Sequence, residues 1–245
     1  MLRLELQSMR NLIFNVNITI FIFISFQIIP YEDELEISFE ALNHHYITIS
    51  KYSTFFRAEP KIISSIVAPE IFRYYKIKIK DLFETTINRV VYIQKGSDYY
   101  NLSTGIFQMK PKFVEDIESY IIKNKIILPI DITLDPLKSK FDIKTLRKIR
   151  LDRLESREWQ VAYLCVFYSV MDHKSCNLNL SDQQKVKIYS TAYNFGFNKS
   201  IAELERLSEF KLFPWGKKNK RKQSSYSELS LIFYKKFSKY LNSLI

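Results

Sequence analysis

The sequence predicts a mainly α protein, and three observations predict it. Apolar residues recur three and four positions apart along most of the chain, the spacing that lines one face of a helix. Strand-like stretches are scarce, and no internal repeat is evident. The hydrophobic fraction of 47% over 245 residues excludes a wholly disordered chain and suffices for one well-buried domain plus tails.

The elements follow in order. Glu32 to Arg57 is a mixed polar and aromatic stretch with His44 and His45, expected to be helical in its first half. Pro60 suits a first helical turn, and Ile62, Ile63, Ile66 and Val67 share a face, so a core helix is expected to Tyr75 with a bend at Pro69. Ile79 to Gln94 predicts a second helix with Leu82, Phe83, Ile87, Val90 and Val91 as its stripe, ended by Gly96. A loop over 97–103 leads to a glycine-bearing turn and a helix opening near Pro111, with Phe113, Val114, Ile117, Tyr120 and Ile121 inward.

Pro129 and Pro136 mark an irregular connection from Ile126 to Lys140. One long helix is expected from Ile143 to His173. In its basic half Lys144, Arg147, Lys148, Arg150 and Arg153 read as a solvated face. Ser181-Asp182-Gln183-Gln184 reads as a capping box, opening a helix that closes at Gly196. A short helix fits Ser200 to Leu207. Five of the seven residues from Gly216 to Lys222 are Lys or Arg, a charged linker before an amphipathic helix from Ser227 to Leu244 that presents Leu229, Ile232, Phe233, Phe237 and Tyr240.

Leu12 to Ile29 is nearly all apolar, carries no charge and follows Arg3 and Arg10, which predicts an export signal or a membrane anchor. No small-x-small cleavage site follows it. The expected organisation is therefore a signal or anchor over 1–30, a helical domain over 31–215, and a basic linker with a terminal helix over 216–245. Two cysteines, Cys165 and Cys176, are too few for a disulfide framework or a zinc cluster. Cys165 reads as a small core residue. The net charge of +11 favours an anionic partner: nucleic acid, a membrane surface or an acidic polymer.

Candidate chemistry centres on Glu70. It follows an apolar helical run, so its carboxyl is expected in a partly desolvated place, where its pKa rises into the range a general acid needs. Only four glycines occur in the chain, and two of them sit in polar and aromatic motifs, Ser103-Thr104-Gly105-Ile106-Phe107-Gln108 and Ala192-Tyr193-Asn194-Phe195-Gly196. Gly105 lets backbone approach a ligand closely, Ser103 and Gln108 add hydrogen-bonding groups, and Tyr193 with Asn194 offers a ring and an amide suited to an N-acetyl sugar.

The ordered set of Glu70, Ser103-x-Gly105-x-x-Gln108-x-x-Pro111, the aromatic helix Trp159 to Leu164, and Ala192-Tyr193-Asn194-x-Gly196 resembles the lytic transglycosylases and goose-type lysozymes of the lysozyme-like superfamily. The resemblance covers residues 58–210 or so. It implies an all-α lysozyme-like domain with a glycan cleft in the exported, periplasmic or envelope compartment. Its partner would be peptidoglycan, and it would need no cofactor or metal. Glu70 would be the single acid/base, and Ser103, Gly105, Gln108, Tyr193 and Asn194 would bind substrate. Cleavage between N-acetylmuramic acid and N-acetylglucosamine would leave a 1,6-anhydro end, without the usual second carboxylate. The chain departs from the family pattern at Ile71, where serine is usual, and at Ile106-Phe107 in place of Leu-Met. An insertion between Glu70 and Gln108 makes Glu84 a rival acid. Glu70 is preferred because Ile62 to Ala68 matches the family helix, whereas Lys78, Lys80 and Asp81 precede Glu84.

Two other readings stand beside this one. A catalytically inactive peptidoglycan-binding or scaffolding protein would use the same cleft without the acid. A nucleic-acid binder would use the basic charge and the 15% aromatic residues, but no recognition-helix, zinc or RNA-binding signature accompanies them and the export segment argues against it. No phosphate-cradling glycine loop or nucleophile triad has a local signature. For Lys217 to Leu244 the alternatives are docking on an anionic membrane and packing on the domain.

Overall fold

A computed structural model describes residues 32–77, 82–137, 139–214, 216 and 223–242. The expected export segment, Leu12 to Ile29, lies outside the described residues, as does the basic run 217–222. The described residues from Glu34 onward form one compact unit. It is mainly α: nine helices and one two-stranded ribbon stand among the described residues. We number them α1 Glu32–Phe55, α2 Pro60–Ile77, α3 Leu82–Lys95, α4 Pro111–Asn124, α5 Ile143–Glu155, α6 Arg157–Lys174, α7 Asp182–Phe195, α8 Ile201–Leu207 and α9 Tyr226–Asn242, with β1 Lys211–Phe213 antiparallel to β2 Ser224–Ser225.

The centre of the unit is α2. Every residue from Ile62 to Phe72 is buried, so the helix is covered on all sides rather than along the single face the sequence suggested. Helices α6, α7 and α9 pack around it. Helices α3, α4 and α5 make a second group that meets the first through α6. Helix α9 is thus part of the main body. Phe233 and Phe237 are buried in it, and Phe39 and Tyr46 of α1 lie 4.8 and 5.5 Å from the Phe237 ring.

Two expectations about helix length are corrected. Helix α1 runs to Phe55 instead of stopping midway, because Leu35, Phe39, Leu42, Tyr46, Ile49 and Ser53 continue a three-and-four spacing along its inner face. The long helix expected from Ile143 to His173 is two helices broken at Ser156. That residue adopts extended backbone (φ −84°, ψ 128°), ends α5, and caps α6 by accepting the Trp159 amide on its side chain.

The basic face of α5 is also corrected, because Arg150 is not solvated. It is 5% exposed, and its guanidinium holds the Glu118 carboxylate at 2.6 and 3.2 Å. Tyr163 donates to the other Glu118 oxygen at 2.8 Å. Arg153 spends its charge on the Ile132 carbonyl and the Trp159 ring, and Arg147 on the carbonyls of Ile93 and Gln94. Three of the five cations therefore tie helices together.

Candidate active site

The candidate residues come from three places in the fold. Glu70 lies in the buried stretch of α2, directly after Pro69. Ser103 and Gln108 flank a tight turn closed by Thr104 and Met109, whose backbones exchange both hydrogen bonds at 2.7 and 3.0 Å. Tyr193 and Asn194 are in the last turn of α7, which opens with the expected capping box at Ser181. All five line one cavity of about 420 Å³, together with Arg73, Asn101, Lys110 and Phe113.

The turn is held from inside. Gly105 (φ +72°) and Gln108 (φ +53°) both sit in left-handed backbone conformations. A Cβ on Gly105 would fall 1.5 Å from Gln160 Nε2. Gln160 is itself buried in α6, where its Oε1 accepts the Phe107 amide at 3.1 Å and its Nε2 donates to the Leu154 carbonyl at 2.5 Å. Gly105 therefore makes room for Gln160, and it is not among the cavity-lining residues. Its close approach is to a neighbouring helix, where the sequence had suggested a ligand. Gln108 donates its side-chain amide to the Gly105 carbonyl at 2.8 Å, which leaves its own side-chain carbonyl for other partners.

Tyr193 is fixed to the same turn. Its hydroxyl donates to the Phe107 carbonyl at 2.6 Å, and its ring meets Phe113 edge-on at 5.2 Å. Burial of the hydroxyl and, secondly, the nearby Glu70 charge hold its pKa well above the ordinary value. It stays a neutral phenol. Asn194 is exposed at the mouth.

Glu70 is 6% exposed, and its Oε2 is buried with no hydrogen-bond donor among the described residues. The Arg73 guanidinium stands 3.6 Å away, one turn along the helix. That distance is an ion pair without a hydrogen bond. Burial pushes the carboxyl up from 4.5 to about 7, against the smaller opposing pull of Arg73 and Lys110. Glu70 thus has what proton donation near neutral pH needs: a raised pKa, a face on a cavity, and an oxygen with no hydrogen-bond donor among the described residues. Glu84 lies in α3, its side chain outside the described residues, and α3 packs against α5.

The sequence reading missed Tyr226. This first residue of α9 is 2% exposed, its hydroxyl is buried with no hydrogen-bond partner among the described residues, and burial followed by the Glu70 charge raises its pKa. It borders a second cavity of about 210 Å³ that shares Arg73, Asn194 and Phe195 with the first. Arg73 was legible as a neighbour of Glu70 from its i+3 position. Tyr226 carried no local signal, because its place follows only from the docking of α9 on α2.

Among the described residues, no three His, Cys, Asp or Glu side chains gather as metal ligands, and no helix is long and apolar enough to cross a membrane. Cys165 is free and buried, its thiol pushed up to about 12 by burial, and Cys176 is free and exposed. Comparison of the chain with protein-family models, curated proteins and solved structures returned no match.

Proposed function

We propose that the protein cleaves the glycosidic bond between N-acetylmuramic acid and N-acetylglucosamine in peptidoglycan, with Glu70 as a single acid/base. The observation that carries this reading is the Glu70 carboxyl: buried, raised to about 7, lining a cavity of about 420 Å³, and with one oxygen that has no hydrogen-bond donor among the described residues. At neutral pH a large fraction of it is protonated. In the forward step its proton passes to the glycosidic oxygen as the bond from that oxygen to the muramoyl C1 breaks. The muramoyl 6-hydroxyl then attacks C1 and gives its proton to the Glu70 carboxylate, which restores the acid and leaves a 1,6-anhydro end. No water is consumed.

The one other carboxylate among the residues lining the cavity is Asp116, and it is paired with Lys112. This favours the single-carboxylate scheme over one that needs a second base. Tyr193 and Asn194 supply a neutral ring edge and an amide for an N-acetyl sugar, and Ser103 and Gln108 supply further hydrogen-bonding groups. This reading places the action in the cell envelope, reached by export through the apolar segment Leu12 to Ile29.

The test is mass spectrometry of purified peptidoglycan after incubation with the protein and with Glu70→Gln. The expected outcome is 1,6-anhydromuramoyl products that the variant does not make. Reducing-end products would make the protein a hydrolase. Intact glycan that nonetheless co-sediments with both proteins would make it a binding or scaffolding protein.

A further inference from the structure

The charges of the cavity do not cancel. Lys112 pairs with Asp116, which removes both from the balance. Arg73, whose ion-pair partner among the described residues is Glu70, has about a third of its side chain exposed. When Glu70 is protonated, Arg73 faces the cavity with no anion. Lys110 lines the same cavity, is exposed, and has neither an ion pair nor a side-chain hydrogen bond among the described residues. The state competent to donate a proton therefore holds two uncompensated cations beside the acid, and Arg73 also borders the second cavity.

A neutral sugar has no use for such a pair, whereas a carboxylate does. Guanidinium and carboxylate match in shape and form charge-assisted hydrogen bonds about twice as strong as neutral ones. From this geometry we infer that Arg73 and Lys110 form a carboxylate subsite, and that the substrate carries a free carboxylate on the sugar next to the bond that is cut. This rests on the peptidoglycan reading above and narrows it. In peptidoglycan the acid in question is the lactyl group on O3 of the muramoyl residue, which is free only where the stem peptide has been removed. The preferred substrate is then a peptide-stripped strand, and the class of reaction that supplies it is hydrolysis of the lactyl-to-peptide amide.

The test is a set of dissociation constants for Glu70→Gln protein, in which the neutral amide stands for the protonated acid and the glycan stays intact. Three ligands are compared: peptide-free muramoyl strands with free carboxylates, the same strands after carbodiimide coupling to methylamine, and polygalacturonate. The free-acid strands should bind about tenfold more tightly than the amidated ones. Adding Arg73→Gln or Lys110→Gln should each remove about threefold of that advantage, read as the ratio of free-acid to amidated affinity, with circular dichroism and melting temperature matching Glu70→Gln showing that the variants are folded. Equal affinity for acid and amide, or a preference that survives both substitutions, overturns the subsite. Failure of the peptidoglycan reading looks different: neither strand binds, while polygalacturonate binds through Arg73 and Lys110, so the subsite stands on another glycan. If none of the three binds, both fall.

Discussion

Two buried glutamates, Glu118 and Glu70, show how differently one fold treats the same group. They are 2% and 6% exposed. Glu118 is saturated: Arg150 takes one oxygen with two hydrogen bonds and Tyr163 the other. Glu70 has one guanidinium at 3.6 Å and an oxygen with no donor. Burial alone thus decides nothing about reactivity. A buried carboxylate with a full set of donors is a structural tie, while one that lacks donors keeps its proton to higher pH, and a proton kept beside a cavity is placed for transfer.

The contrast is broken most violently at Arg150. Arg150→Met leaves Glu118, and Glu115 whose carboxylate lies 3.4 Å from the same guanidinium, without their cation, and should cost about 3–5 kcal/mol of unfolding free energy in urea titrations. Adding Glu118→Leu should recover most of that loss, since an apolar pair replaces an ionic one.

At Glu70 the same kind of neutralisation should have the opposite sign. Below pH 4.5 the carboxyl is protonated in the folded and unfolded chain alike and costs nothing. As pH rises from 4.5 to about 7 the unfolded chain ionises first, and stability falls until the folded group ionises too. Glu70→Gln removes this cost. It should stabilise the protein at pH 8 by about 3 kcal/mol, one pKa unit being worth about 1.4 kcal/mol, with the gain vanishing by about pH 4.5. Equal melting temperatures for the two proteins at pH 8 would show that the carboxyl is solvated. Turnover by the unmodified protein should decline above about pH 7, as the proton is lost.

Gly105→Ala sharpens the contrast from the side of the turn. The new methyl meets Gln160 at 1.5 Å in a left-handed conformation, and a loss of about 2 kcal/mol is expected. Activity should fall further than stability accounts for, because Gln108 and Tyr193 both hang on that turn. The smallest effect is expected at Tyr226→Phe. Its hydroxyl has no hydrogen-bond partner among the described residues, so stability should stay within about 1 kcal/mol or rise slightly, where loss of a hydroxyl with a good acceptor would lower it.

Much of the helical plan is legible in local sequence, because caps and spacing act locally. Ser181 with Gln184, Pro60 and Pro111 each mark a helix start where the chain has one. The break at Ser156 escapes because Glu155-Ser156-Arg157 suits a helix interior as well as a cap, and packing decides between them. The burial of Glu70 is legible from the apolar run ahead of it. Its lack of donors is not, since that depends on what α7 and α9 bring to it. Arg150 fails for the complementary reason: among five cations on one helix, nothing local tells which one faces a carboxylate. Gly105 reads correctly as a point of close approach, but the partner that approaches is supplied by a helix distant in sequence.

The docking of α9 on α2 has a consequence in time. Glu70 leaves the ribosome well before the helix that helps to enclose it. Until α9 settles, one wall around the carboxyl is missing, and a carboxyl open to water is ionised at neutral pH. Acidity is then the last property the nascent protein acquires, and a refolding chain should regain its helical signal before its activity, with a lag set by α9.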